Sequence, residues 1–168
     1  VVARLLAHHV HGLLVVPSVD WQDGALRLIR ERSVPLVVID RLQDIRADQV
    51  GVENEAAAIS LVDHLLQRGH TRVAYVGGPH GQATFRERRS GYQEAHRRRG
   101  LAVDPDLVIE DSVSEDAARR AVAALLAGPQ PPTGLFTAGY AATLGALRAA
   151  RSAGIAVPGD LAMVCFDE

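Results

Sequence analysis

Several charged and polar residues of this sequence follow short apolar runs, where they could bind a ligand. Arg86 and Arg88 come soon after one such run, in the first turn of a predicted helix. Cations oppose the helix dipole at that end, so a structural preference does not explain them. The other polar residues that follow apolar runs are Ser18, Asp40, Arg41 and Asp167.

Ligands of open α/β sheets bind at the carboxyl ends of the strands. Paired Asp and Arg groups there would suit a polyhydroxylated ligand, because each hydroxyl can both donate and accept hydrogen bonds. The sequence therefore predicts a binding cleft for such a ligand.

A solvated helix face is the alternative explanation for the arginines. Further arginines fall in or beside the same predicted helix, namely Arg89, Arg97, Arg98 and Arg99. A run of charges on a helix usually faces water, so most of these side chains are expected at the surface. For Arg86 and Arg88, both interpretations remain open.

Residue patterns for a metal site are weak. His8, His9 and His11 lack the i,i+4 spacing that would place two metal ligands on one helix face. The single cysteine, Cys165, lies in an apolar run and is expected to be an inert core residue. We therefore expect no bound metal.

Signatures of catalysis or of nucleotide binding are also weak. Ser18 lacks the G-x-S-x-G elbow of a hydrolase. The loop Gly77–Gly81 follows a predicted strand and precedes a helix, but it has neither the P-loop nor the dinucleotide-binding glycine spacing. We therefore expect a protein that is not an enzyme and has no cofactor.

The composition is that of a globular protein. The chain has 168 residues, of which 48% are hydrophobic and 23% are charged, so it can bury a core. No apolar run approaches the ~20 residues that a membrane span needs. The net charge is −2, which argues against this segment being a nucleic-acid-binding surface on its own.

Hydrophobic periodicity alternates between strand-like and helix-like runs. Apolar runs predict strands at Gly12–Pro17, Pro35–Asp40, Arg72–Gly77, Leu107–Glu110, Thr133–Ala138 and Leu161–Phe166, the first two of them buried. Gln49–Val52 is predicted to be a short extended segment. Helical spacing predicts helices at Trp21–Arg32, Glu55–Arg68 with Asn54 as its N-cap, Thr84–Arg99, Ser114–Ala127 and Tyr140–Ala153. This alternation predicts an α/β fold with parallel sheets. Because it begins with half a unit and ends on an uncovered strand, we expect a fragment of a longer protein, truncated at both ends.

Seven runs, taken in order, resemble the successive signatures of one family. They are His11–Val15, Pro35–Arg41, Val50–Asn54, His64–Pro79, Arg88–Tyr92, Pro132–Phe136 and Val157–Asp167. Each run is weak alone, but the ordered set is specific and covers the sequence from about Val10 to Glu168. In this respect the sequence is similar to the effector-binding domain of lactose-repressor/galactose-repressor (LacI/GalR) transcriptional regulators.

The resemblance implies a periplasmic-binding-protein type I fold, in which two Rossmann-like lobes with parallel sheets hold the effector between them. Residues 1–69 would form part of the N-terminal lobe, 70–166 the C-terminal lobe, and 167–168 the start of the crossing back. The DNA-binding helix-turn-helix domain would be absent from this chain.

The resemblance also implies effector-binding residues. Asp40 and Arg41 match a strand-end pair that related receptors use on sugar hydroxyls, and Asp167 matches the first Asp of a signature at the lobe crossing. Arg88 matches a recurrent ligand-binding arginine three residues before a Gly-aromatic pair. Tyr140 stands where the family usually has an Asp that binds sugar hydroxyls, which suggests an aromatic platform or a changed ligand.

By this resemblance, the expected function is that of an effector-binding, dimerising domain of a cytoplasmic regulator. The expected effector is a sugar or a related metabolite, and operator DNA would bind only through the absent N-terminal domain. The alternative is a sugar receptor of an ABC importer, which has the same fold. A helix-turn-helix upstream would indicate the regulator, whereas a signal peptide would indicate the receptor.

Overall fold

The computed structural model describes residues 1–18 and 23–167 and confirms the alternation of strands and helices. The chain divides into two compact units, residues 1–52 and 53–168. The first two residues of the predicted helix Trp21–Arg32, and the final residue Glu168, lie outside the described residues. No helix in the described ranges is long and apolar enough to cross a membrane.

The first unit contains a parallel sheet of three strands in the order β1-β2-β3. Its elements are α1 (Val2–Leu6), β1 (Leu13–Val15), α2 (Asp23–Glu31), β2 (Leu36–Ile39) and β3 (Asp48–Val50). Leu6, Leu13 and Ile29 are buried together and hold α1 and α2 against β1. The predicted parallel pairing of these strands is confirmed.

The second unit contains a parallel sheet of four strands in the order β5-β4-β6-β7. Its elements are α3 (Asn54–Gln67), β4 (Val73–Val76), α4 (Ala83–Arg98), a 3-10 turn (Pro105–Leu107), β5 (Val108–Ile109), α5 (Glu115–Leu126), β6 (Gly134–Thr137), α6 (Tyr140–Ser152) and β7 (Ala162–Cys165).

Helices cover both faces of this second sheet. Successive side chains of a strand point to opposite faces, so Tyr75 and Phe136 pack with α3 and α4 while Ala74 and Leu135 pack with α5 and α6. Every residue of β4 and β6 is therefore buried. This arrangement explains why both strands appear in the sequence as continuous apolar runs.

Each pair of covering helices meets at a glycine. A Cβ atom at Gly91 of α4 would lie 2.5 Å from the carbonyl oxygen of Glu55 and 2.7 Å from the Cβ of Ala58, both in α3. Gly145 of α6 meets Glu115 and Ala118 of α5 in the same way, with 2.6 Å to the Cβ of Ala118. Both helix pairs are thus in direct backbone contact at one point.

The structure differs from the sequence-based expectations at the start of α3. The compact units divide after Val52, and α3 packs against α4 and β7 of the second unit. The lobe boundary expected after residue 69 stays a prediction. The expected N-cap, Asn54, is the first helical residue, and Glu53 occupies the cap position without a side-chain hydrogen bond. Asn54 is buried, and its side chain bonds to α4 instead.

The expectation for Cys165 is wrong, because this residue is exposed. Cys165 ends β7, which pairs on one side only, with β6, among the described strands. The side chains of β7 are accordingly less buried than those of β4 and β6. An apolar run identifies a strand but not its place in the sheet.

His96 is a buried histidine near the end of α4 and is 2% exposed. Its Nδ1 lies 2.8 Å from the carbonyl oxygen of Tyr92, which can only accept, so Nδ1 carries the proton. Burial lowers the pKa of His96 below its usual value because the charged ring would lose its hydration. The ring is therefore neutral at pH 7.

We expect His96 to make the folded chain less stable in mild acid. The unfolded chain takes up a proton at this ring near pH 6.5, while the folded chain does not. Its contribution is therefore fully present above pH 6.5 and is lost as the pH falls, by at most about 1.4 kcal/mol per pH unit. Urea unfolding at pH 7.5 and 5.5 measures this loss.

The comparison uses two matched variants. His96→Phe removes the titrating ring and is expected to reduce the difference between the two pH values. His64→Phe changes an exposed histidine of α3 and is expected to leave the difference as in the wild type. An equal pH dependence in His96→Phe and the wild type would contradict the assignment.

Candidate functional site

The candidate ligand-binding residues of the second unit lie at the carboxyl edge of its sheet. Because its strands are parallel, the residues that follow β4, β6 and β7 lie at the same edge. These are Gly77 and Gly78 after β4, Ala138 and Gly139 after β6, and Phe166 and Asp167 after β7. The helix α4 brings Arg88 to this edge.

Arg88 is 6% exposed and lies at the centre of this edge. Its Nε donates to Oδ1 of Asn54 at 2.9 Å, and its Nη1 donates to the carbonyl oxygen of Ala138 at 2.8 Å. The guanidinium carbon lies 3.5 Å from the ring centroid of Phe166, a cation–π contact. A solvated helix face is therefore excluded for Arg88, whereas Arg86 is exposed.

The expectation that Arg88 lies in the first turn of its helix is wrong. The helix α4 begins at Ala83, so Arg88 lies in the second turn. It faces the sheet, where backbone and side-chain acceptors replace the water that its charge gives up. The helix dipole is thus not what makes this position unusual.

Asp167 supplies a carboxylate beside Arg88. Its Oδ2 lies 3.6 Å from Nη1 of Arg88, and its side chain is 47% exposed. The backbone of Asp167 has φ +88°, the left-handed region that Asp tolerates better than most residues. The carboxylate therefore has one side toward the arginine and another that is open to solvent.

Tyr140 lies near Arg88 and Asp167 at the carboxyl edge of the sheet. It is the first residue of α6 and is 59% exposed. The preceding residue, Gly139, is close to Asp167, since a Cβ at Gly139 would lie 3.8 Å from the Asp167 carboxylate. The exposed ring of Tyr140 and the half-exposed carboxylate of Asp167 thus belong to neighbouring segments of backbone at the same edge of the sheet.

The two glycines after β4 serve packing. The Gly78 backbone lies against the ring of Phe85, and the Gly77 backbone lies against the hydroxyl of Tyr75. That hydroxyl donates to the carbonyl oxygen of Phe85 at 3.2 Å, and burial raises the pKa of Tyr75 above its usual value. The amide of Gly77 donates to the carbonyl of Ile109 and is not available to a phosphate.

In the first unit, Asp40 and Arg41 follow β2. The Nη1 of Arg41 donates to the carbonyl oxygen of Pro17 at 3.1 Å, so this side chain links the carboxyl ends of β1 and β2. Its Nε lies 4.0 Å from Oδ2 of Asp40, whose φ is +67°. Ser18, the residue after Pro17, is exposed.

Sequence reasoning missed three residues of the second site. Asn54 has the sequence signal of a helix cap, and Phe166 and Phe85 have that of ordinary core residues. The ring centroid of Phe85 lies 6.0 Å from the guanidinium carbon of Arg88. Only the fold places an amide oxygen and aromatic rings around one arginine.

Among residues 1–18 and 23–167, no group of three or more His, Cys, Asp or Glu could hold a metal ion.

Comparisons with known proteins identify the fold and the family. The model of the periplasmic-binding-protein-like domain matches residues 62–168, and the chain belongs to this family. It is 30% identical over 165 residues to the HTH-type transcriptional repressor CytR of Escherichia coli (strain K12), covering 97% of this chain and 48% of that protein. The chain thus spans about half the length of the curated relatives it matches.

Solved structures give the same result. The chain is similar to a LacI family transcriptional regulator from Mycobacterium smegmatis, with TM-score 0.84 and 29% identity over 99% of this chain and 62% of that one. It is also similar to the transcriptional regulator CelR in complex with cellobiose, with TM-score 0.83 and 28% identity over 99% of this chain and 52% of that one. The expected fold and the resemblance to LacI/GalR regulators are confirmed.

Proposed function

We propose that this chain is the effector-binding domain of a LacI/GalR-type transcriptional regulator. It binds a small polyhydroxylated molecule, a sugar or a related metabolite, and controls operator binding by a DNA-binding domain of the same protein. The observation that carries this proposal is the arrangement around Arg88, a buried cation beside the half-exposed carboxylate of Asp167. Such a pair can both donate to and accept from the hydroxyls of a ligand.

Six residues are proposed to contact the effector. In the second unit, Arg88 and Asp167 bond to hydroxyls and Tyr140 stacks on an apolar face of the ligand. In the first unit, the polar groups that follow β1 and β2 are proposed to do the same, namely Ser18, Asp40 and Arg41. Each set lies at the carboxyl edge of a parallel sheet, where α/β folds bind their ligands.

The relatives support a regulator that is not an enzyme. They are named as transcriptional repressors, and the similar protein CelR was solved with cellobiose. We propose that the complete protein acts in the cytoplasm as a homodimer, because a regulator that reads paired half-sites is expected to be two-fold symmetric. An importer receptor has the same fold, whereas CytR, ExuR and PurR are named as transcriptional repressors.

Calorimetric titration of the chain with three compounds tests ligand binding. D-ribose offers hydroxyls alone, cellobiose adds the apolar faces of two rings, and uridine adds a planar base. Binding of at least one compound, together with its loss in the Arg88 variant described below, would support the proposal. Absence of binding to all three at millimolar concentration would contradict a site for sugars and nucleosides.

We expect Tyr140→Asp to change which of these compounds binds best. The aspartate loses the aromatic stacking surface, so affinity for cellobiose or uridine should fall by about 3- to 10-fold. The new carboxylate can accept from sugar hydroxyls, so affinity for D-ribose should rise. Titration of each compound into the variant measures both changes.

The matched control is Leu147→Asp, which introduces the same charge on an exposed residue two turns further along α6. Its ligand preferences are expected to equal those of the wild type. If Tyr140→Asp also left the order of affinities unchanged, Tyr140 would merely cover the surface of its unit.

A further inference from the structure

Asn54 bridges two consecutive residues of the neighbouring helix. Its Oδ1 accepts from Nε of Arg88 at 2.9 Å, and its Nδ2 donates to Oε2 of Glu87 at 2.9 Å. Asn54 is 3% exposed, at the first position of α3, whereas Glu87 and Arg88 both belong to α4. The three side chains thus form a chain of hydrogen bonds from a carboxylate through an amide to a guanidinium.

The two partners of Asn54 permit only one orientation of its amide. A guanidinium can only donate and an ionised carboxylate can only accept. The amide NH₂ must therefore face Glu87, and the amide oxygen must face Arg88. If the amide turned over, its NH₂ group would face the N–H of Arg88 and its oxygen would face the carboxylate of Glu87. Both hydrogen bonds would then be lost.

We propose that Asn54, oriented by Glu87, is a positioning residue that fixes the rotation of the Arg88 guanidinium at the carboxyl edge of the second sheet. The carbonyl of Ala138 holds one terminal nitrogen, and the ring of Phe166 supports one face of the group. Asn54 supplies the anchor at Nε, so the plane of the guanidinium is set by contacts at two of its nitrogens. This inference rests on the proposed function only in that Arg88 is there assigned to contact the effector.

The test follows the Nε–H proton of Arg88 by NMR in the ¹⁵N-labelled 168-residue chain. Its signal is the arginine Nε–H signal that Arg88→Lys removes. In the wild type we expect this proton to exchange with water more slowly than the Nε–H of exposed Arg86. In Asn54→Leu, which keeps the volume but removes the acceptor, exchange should become at least about tenfold faster, the lower end of the factor for one hydrogen bond to a charged group.

A reversed pair provides the rescue. Asn54→Asp alone keeps an acceptor for Arg88 but places two carboxylates in contact. Asn54→Asp combined with Glu87→Gln restores a donor opposite an acceptor at that contact while the net charge is unchanged. We expect the double variant to recover the slow exchange of the Arg88 proton.

The matched control is Ser90→Ala. Ser90 also bonds from α4 to α3, through its Oγ to Oε1 of Glu55 at 2.9 Å, but it does not belong to the chain of hydrogen bonds at Arg88. Its loss should leave the Arg88 proton as in the wild type. If Asn54 served only to dock the two helices, Ser90→Ala and Asn54→Leu would change the exchange rate of the Arg88 proton to the same extent.

An unchanged Arg88 signal in a folded Asn54→Leu chain would overturn the proposal. If Asn54→Leu does not fold, Glu87→Ala decides, because it removes only the orienting carboxylate from a half-buried position. Faster exchange of the Arg88 proton in that variant supports the proposal, and unchanged exchange overturns it. The measurement needs no ligand, so a chain that binds none of the three compounds would contradict the proposed function and leave this result decisive.

Discussion

Arg88→Ala is expected to reduce affinity for the best-binding of D-ribose, cellobiose and uridine by about 10- to 150-fold. This range corresponds to the loss of one charge-assisted hydrogen bond, about 1.5–3 kcal/mol. The guanidinium is held at the sheet edge by Asn54, Ala138 and Phe166, so its orientation is already set before a ligand arrives. Isothermal titration calorimetry of the variant measures the change.

The same substitution also affects folding. Alanine leaves the oxygens of Asn54 and Ala138 without this donor, and the free energy of unfolding should fall by about 2–4 kcal/mol. Arg88→Lys keeps the positive charge but cannot reproduce the hydrogen bonds to both Asn54 and Ala138. A folded Arg88→Lys chain therefore reports the loss of affinity without the loss of folding. The control is Arg86→Ala, an exposed arginine of the same helix, which should bind and unfold like the wild type. Wild-type affinity in a folded Arg88→Lys chain would remove Arg88 from the proposed site.

Gly91→Ala is expected to destabilise the second unit by about 1–3 kcal/mol. The added methyl group would meet the Glu55 carbonyl at 2.5 Å and the Cβ of Ala58 at 2.7 Å, so α3 and α4 would have to separate. Alanine favours a helix over glycine by about 1 kcal/mol, so a net loss requires that this clash dominates. Urea unfolding measures the sign and the size of the change.

Two controls bracket this prediction. Gly145→Ala should cost a similar amount, because it forces α6 away from α5 through the same kind of contact. Gly81→Ala places its methyl group where no atom lies within 4 Å and should change stability by less than about 0.5 kcal/mol. A stabilised Gly91→Ala chain would show that the helices separate at little cost.

The sequence predicts the elements of this fold well because hydrophobic periodicity is a local property. Continuous apolar runs identified β4 and β6, which helices cover on both faces. Periodicity does not state which layer a helix joins. The packing of α3 against α4 and β7 is therefore seen only in the structure.

The site was predicted less completely because its contacts join distant parts of the chain. Arg88 was identified as a candidate, but its burial depends on acceptors 34 and 50 residues away. Asn54 stands where an N-cap is common, and nothing local distinguishes a capping amide from one that bonds to another helix. The exposure of Cys165 could not be predicted for the same reason, since an apolar run that forms an outer strand has the same composition as one that forms a central strand.

The paired glycine contacts have a consequence for motion. Helices that slide past each other in shear movements do so on interdigitated side chains that change rotamer as they move. At Gly91 and Gly145, on opposite faces of one sheet, the helix backbone meets the backbone and an alanine methyl group of the neighbouring helix. At these two points no flexible side chain separates the helices and could absorb a displacement. We therefore expect the second unit to respond to a ligand as a rigid body, with its sheet and four helices moving together.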